Sequence, residues 1–230
     1  MLVGLLLSGS MASAPAQPAP TPVQTKMTFD FANPALTPAA YRIEFDSTGL
    51  GHYHSEPGTI GAPNAQGSLP EAFDQQIQIS VPLREQLLAV SRSHRFLVGE
   101  CESRQHKVAF TGRKTLSYQG PEGGASCTFN WSQDAQLMKV ASDFLAIALT
   151  LEEGRKLRLA YLHDRLSLDA ELETLSNAVK LGNALELENI APELEAIAAD
   201  PAVMKRAQAR AAALLAVVPP SGDATPGQSR

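Results

Sequence analysis

The chain is short of cysteine, of long apolar runs and of basic excess, and each shortage removes a class of protein. Two cysteines in 230 residues exclude a disulfide-dense scaffold and leave room for one internal bridge. The longest apolar runs, at 144–151 and 211–218, fall short of the ~18 residues a spanning helix needs. Nineteen Lys and Arg stand against 24 Asp and Glu, a net charge of −5, which argues against nucleic-acid binding because that function draws on a basic surface. Catalytic signatures are missing as well. Gly123-Gly124-Ala125-Ser126-Cys127 lacks the closing glycine of a nucleophile elbow, and there is no S-x-x-K, Walker A, G-x-G-x-x-G or H-E-x-x-H. No cofactor is implied.

What is present suffices for a core. Hydrophobic residues make up 44% and charged residues 19%, the balance of a globular chain of one large or two small domains. The charge divides unevenly: 9 basic against 10 acidic residues over 1–133, and 10 against 14 over 134–230. The acidic half is the helical half, as expected of solvated helix faces.

Residues 2–7 form a short apolar core and Ala12-Ser13-Ala14 an A-x-A cleavage pattern. Residues 1–14 therefore read as an export signal, truncated because no Lys or Arg precedes the apolar core. A Pro-rich linker follows over 15–25. No cysteine near the cleavage pattern supports a lipid anchor.

Met27, Phe29 and Phe31 alternate with polar residues, as do Tyr41, Ile43 and Phe45; both are strands with one buried face. The cluster Asp46-Ser47-Thr48-Gly49 predicts a three-residue hairpin loop with Gly49 left-handed. That register pairs Tyr53 with Ile43, and sets His52 beside Glu44 and His54 beside Arg42. A loop one residue shorter would turn both imidazoles inward. Ile77, Ile79 and Val81 predict a further strand, and Pro82 opens a helix with a Leu83, Leu87, Val90 stripe that ends near Phe96.

The bracket Cys101 to Cys127 predicts a stapled antiparallel meander: Val108 and Phe110, a turn at Gly112-Arg113-Lys114, then Leu116 and Tyr118, and a last strand with Cys127, Phe129 and Trp131 inward. From Asp134 the period becomes helical. Leu137 to Leu151 form one helix closed by Gly154, and a shorter helix carries Leu157 and Tyr161. Another begins after Ser167 or Asp169 and stops at Gly182. Leu187, Ile190, Leu194 and Ile197 form a stripe that Pro192 interrupts, and Asp200-Pro201 caps a last helix reaching about Val218.

Three sets of side chains could carry chemistry. Cys101 and Cys127 read as one structural disulfide; zinc ligation with His94 and His106 matches no standard spacing. His52, His54 and Glu56 project from one strand face, the arrangement a metal or an acid/base pair needs. The same arrangement also fits a solvent-facing hairpin. Arg92, Arg95, Arg104, Lys107, Arg113 and Lys114, with Arg84, form a basic run opposed by three glutamates over 84–114, a possible anion-binding patch or an ordinary solvated surface.

The segments YRIEFDSTGLGHYHSEPG and TLSYQGPEGGASCTFNW, followed by helices, resemble uncharacterised exported bacterial proteins. The resemblance implies export to the periplasm or beyond and brings no activity with it.

The fold expected is α+β: a small antiparallel sheet with one early helix, spanning 26–133, then a layer of four to five helices over 134–218 and a disordered tail at 219–230. The leading function expected is a non-enzymatic exported binding or scaffold protein with a protein or cell-envelope ligand. A metal-dependent or acid/base enzyme centred on His52, His54 and Glu56 is the rival, and a polyanion-binding module using 84–114 a third.

Overall fold

The computed structural model describes residues 25–58, 71–93, 101–103 and 108–218. The expected signal segment, most of the Pro-rich linker, the tail, and His94, Arg95, Arg104, His106 and Lys107 lie outside them. The fold is α+β. Strands β1 (Lys26–Ala32), β2 (Ala40–Asp46), β3 (Leu50–Glu56), β4 (Phe73–Gln78), β5 (Arg113–Gly120) and β6 (Gly123–Phe129) form one sheet in the order β4-β3-β2-β1-β5-β6. Every neighbouring pair is antiparallel. Helix α1 (Val81–Ser93) interrupts the strands, and α2 (Ala135–His163), α3 (Leu168–Lys180), α4 (Ala191–Ala199) and α5 (Lys205–Leu215) follow them. Among the described residues no helix is long and apolar enough to cross a membrane.

Alternation decides the sheet. Met27, Phe29 and Phe31 of β1, Ile43 and Phe45 of β2, Tyr53 of β3 and Leu116 of β5 are buried on one face, against α1 and the first half of α2. Helix α2 starts where Asp134 accepts hydrogen bonds from the amides of Gln136 (2.8 Å) and Leu137 (3.1 Å), a side-chain N-cap. It then lays Leu137, Val140, Phe144, Ile147 and Leu151 on the sheet. Phe144 stacks on Phe29 with ring centroids 4.8 Å apart, a contact worth about 1 kcal/mol beyond burial.

The second half of α2 enters a different core. Leu157 and Ala160 pack with Leu168, Leu172, Ile190, Leu194, Ala207 and Ala211 from the later helices. One helix is thus shared by both clusters. The helical cluster is also tied to the sheet edge: Asn189 Oδ1 accepts from the Gln78 amide at 2.7 Å, its Nδ2 donates to the Gln78 carbonyl at 3.1 Å, and Glu186 accepts from the amide and hydroxyl of Ser80. A side-chain amide thereby occupies hydrogen-bonding groups of edge strand β4 that would otherwise stay open.

Four local expectations are corrected. Gly154 does not end a helix; α2 runs through it for 29 residues, because the missing Cβ admits Ile190. Val108 and Phe110 are exposed and lie in no strand, and Gly112-Arg113-Lys114 leads directly into β5. Val81 begins α1 and is exposed rather than closing a strand. Asp200-Pro201 does not start α5, which begins at Lys205. Instead Asp200 ends α4, and its carboxylate is taken by the Ala202 amide (2.8 Å), the Tyr161 hydroxyl (2.9 Å) and Arg165 (3.2 Å).

Candidate functional site

The hairpin register comes first, because it decides where the histidines point. Ile43 pairs with Tyr53, Glu44 with His52 and Arg42 with His54. Gly49 holds the turn at φ +88°, and Ser47, Thr48 and Gly49 make the three-residue loop. Tyr53 is fully buried, while His52 and His54 stand on the opposite, solvent-facing side. His52, His54 and Glu56 do share a face, and Asp74 from β4, which the sequence did not single out, joins them.

His54 Nδ1 lies 2.8 Å from Asp74 Oδ1 and its Nε2 2.9 Å from Glu56 Oε1; His52 Nε2 is 3.5 Å from the same Asp74 oxygen. A carboxylate at each ring nitrogen favours the imidazolium form of His54. The Glu56 hydrogen bond, then that of Asp74, raises its pKa above the ordinary value. A metal ligand needs the opposite, a free lone pair on neutral imidazole. Among the described residues no group of three His, Cys, Asp or Glu is arranged to hold a metal ion. The cluster borders an open depression on the sheet that also includes Arg42 and Arg113.

Cys101 and Cys127 are joined in a disulfide with their Cα atoms 5.9 Å apart. Both are buried in the sheet cluster. Of the basic run, Arg84, Arg92, Arg113 and Lys114 are among the described residues. Lys114 sits on the core face between Phe31 and Phe129, 3% exposed. Its Nζ donates to Thr111 Oγ1 (3.1 Å), Gly112 O (3.0 Å) and Asn130 O (2.9 Å), and desolvation lowers its pKa. Arg113 points the other way and is exposed. Arg84 is spent on the Thr48 carbonyl at 2.6 Å. Lys114 therefore belongs to the core and not to an anion-binding patch.

The feature that sequence reasoning missed lies between the β1–β2 connection and α2. A crevice of about 510 Å³ opens there. Its walls are apolar: Phe31, Leu36, Pro38, Leu145, Ala148, Leu149 and Leu159. Tyr41, Tyr53 and Glu152 supply polar groups within it. Glu152 Oε1 accepts from Tyr53 Oη (2.8 Å) and Ser55 Oγ (2.7 Å), so the two β3 side chains fix the carboxylate of α2. Arg155 Nη1 stays 3.7 Å from Glu152 Oε2, and Arg155 donates to the Glu71 carbonyl at 2.9 Å and covers the Phe73 ring. Lys156 pairs with Glu153 at 2.7 Å. Burial, reinforced by Glu152, pushes the Tyr41 and Tyr53 phenols well above their ordinary range; both are neutral donors across the physiological range.

A signal for this site was in the sequence. Ser55 follows Tyr53 at the core-facing interval, and Glu152 and Glu153 interrupt the apolar stripe of α2. Polar groups at core positions require partners: Glu152 finds Tyr53 and Ser55, and Glu153 finds Lys156. Compared with known proteins, the chain matches no protein-family model and no curated protein sequence.

Proposed function

We propose that this chain is an exported, non-enzymatic binding module whose ligand occupies the crevice between the β1–β2 connection and α2. The observation that carries the reading is the make-up of the crevice: mostly apolar walls, with the Glu152 carboxylate held in place by two hydroxyls. Concave, mostly apolar sites of this size with a few convergent polar groups are where small ligands are held. Glu152 Oε1 is taken up by the Tyr53 and Ser55 hydroxyls, which favours holding a ligand over transforming it. A buried disulfide supports export, since such bonds persist in oxidising compartments.

The test is saturable binding of a neutral fluorescent apolar probe, N-phenylnaphthylamine, to the intact chain. One site per chain is expected, lost in Leu149→Glu. Leu149 lines the crevice and is already 36% exposed, so the charge blocks the site without unfolding the protein. Equal probe binding in the variant, or no saturable binding at all, would sink the crevice reading.

A further inference from the structure

If the crevice is the ligand site, the hydrogen bonds around Glu152 restrict which ligand it holds. Glu152 Oε1 is saturated by Tyr53 and Ser55. Among the described residues its Oε2 accepts no hydrogen bond, Arg155 Nη1 standing 3.7 Å away. It is not sealed inside the protein, unlike Glu153 Oε2, which is buried without a hydrogen-bond partner. The Tyr41 phenol lines the same crevice, and no hydrogen bond ties its hydroxyl to the described residues. One acceptor and one donor/acceptor are thus left over at a site whose walls are mostly apolar.

The charge balance restricts what can meet them. The crevice carries Glu152 and Glu153 against Arg155 and Lys156, and the pairs Glu152–Arg155 and Glu153–Lys156 are already formed. An ammonium head would be drawn to Glu152 but set against Arg155, and a carboxylate head would be set against Glu152 itself. Either would bring an uncompensated charge into a partly desolvated site, which is costly. A hydroxyl brings none. It can donate to Glu152 Oε2 and accept from Tyr41 Oη, which burial keeps protonated.

We propose that the crevice selects an uncharged amphipath, an apolar body carrying an alcohol or phenol hydroxyl, by pairing that hydroxyl with Glu152 and Tyr41. The apolar body supplies affinity through buried area, and the hydroxyl supplies discrimination, because a site built to hydrogen-bond a hydroxyl rejects the analogue that lacks it.

Displacement of N-phenylnaphthylamine from the intact chain by four ligands with the same alkyl body tests this: decanol, decyl methyl ether, decylamine and decanoate. Decanol and the ether are both neutral, so their difference isolates the donated hydrogen bond. Decanol is expected to displace the probe at about tenfold lower concentration than the ether, with decylamine and decanoate weaker still. Tyr41→Phe keeps the ring and removes the hydroxyl. It is expected to weaken decanol by about fivefold, calculated with the probe affinity measured for the variant itself. Ether or either ion competing as well as decanol would overturn the inference, as would a Tyr41→Phe chain that binds decanol as tightly as the wild-type protein. If the probe finds no saturable site, the crevice reading falls and this inference with it; if the probe binds and the order of heads is wrong, the inference alone falls.

Discussion

Gly154 touches Ile190 so closely that a Cβ on the glycine would sit 2.2 Å from Ile190 Cγ2 and 3.0 Å from its Cβ. Ile190 is 1% exposed and belongs to the helical cluster, so this contact lies where α2 passes from the sheet core to the second core. In an open helix Gly→Ala would gain up to about 1 kcal/mol of propensity. Here the branched Ile190 cannot swing away, and overpacking costs about 1–3 kcal/mol. Gly154→Ala is expected to destabilise the protein by about 1 kcal/mol or more, read as a lower urea midpoint. An unchanged or raised midpoint would show that the two cores slide apart at little cost.

That contact also explains what could be read in advance. The hairpin register followed from a choice of which side chain to bury, Tyr53 or two imidazoles, and such choices are local. The disulfide pairing followed because two cysteines allow one bridge. Gly154 was different: as a sequence symbol it reads as a helix stop, and only a residue 36 positions later shows that it is a point of close approach. Lys114 misled in the same manner. A Gly-Arg-Lys triplet has turn composition, yet the β1–β5 register puts Lys114 opposite Phe31 on the core face. The crevice was hidden because it is made by β3 and α2 side chains about a hundred positions apart, Ser55 and Tyr53 with Glu152.

His54 predicts a pH dependence. Glu56 and Asp74 raise its pKa from the ordinary 6.5; Arg42 lies opposite on β2 but is paired with Asp30 at 2.7 Å, and His52 shares the face. A raised histidine pKa contributes stability that is fully present below about 6.5 and is lost as pH rises through the higher folded value. The side chain is 37% exposed, so the effect is screened. NMR titration of the His54 ring should give a value above 6.5 that falls in Asp74→Asn. A ring titrating at or below the ordinary value would contradict the paired geometry.

Lys114 is a structural cation. Lys114→Met keeps the length of the side chain over Phe31 and removes the donor, leaving Thr111 Oγ1, Gly112 O and Asn130 O without the hydrogen bonds they now accept. Relief of a buried charge offsets part of that loss. The expected result is a destabilisation of about 1–3 kcal/mol, seen in equilibrium unfolding. Retention on heparin should not change, since the ammonium is 3% exposed at the residue level. Reduced retention in a still-folded variant would return Lys114 to the surface.

The disulfide closes a loop of 26 residues between Cys101 and Cys127. On the chain-entropy estimate a loop of that size contributes about 3.5 kcal/mol by restricting the unfolded chain. Its place adds to its effect. Cys127 faces Leu116 across the β5–β6 pair, and Cys101 is buried beside the same core, so the bridge fastens the segment before β5 to the last strand at the point where the chain turns toward α2. The Ser103 amide donates to the Trp131 carbonyl at 3.0 Å, a second tie at the same joint. Intact mass of the non-reduced protein should fall short of the reduced mass by two hydrogens. The double variant Cys101→Ala, Cys127→Ala should lose about 3 kcal/mol in guanidinium unfolding, and reducing agent should lower the wild-type midpoint while leaving that of the variant in place. Two free thiols in native protein would remove the staple and, with it, the physical argument that this chain folds in an oxidising compartment.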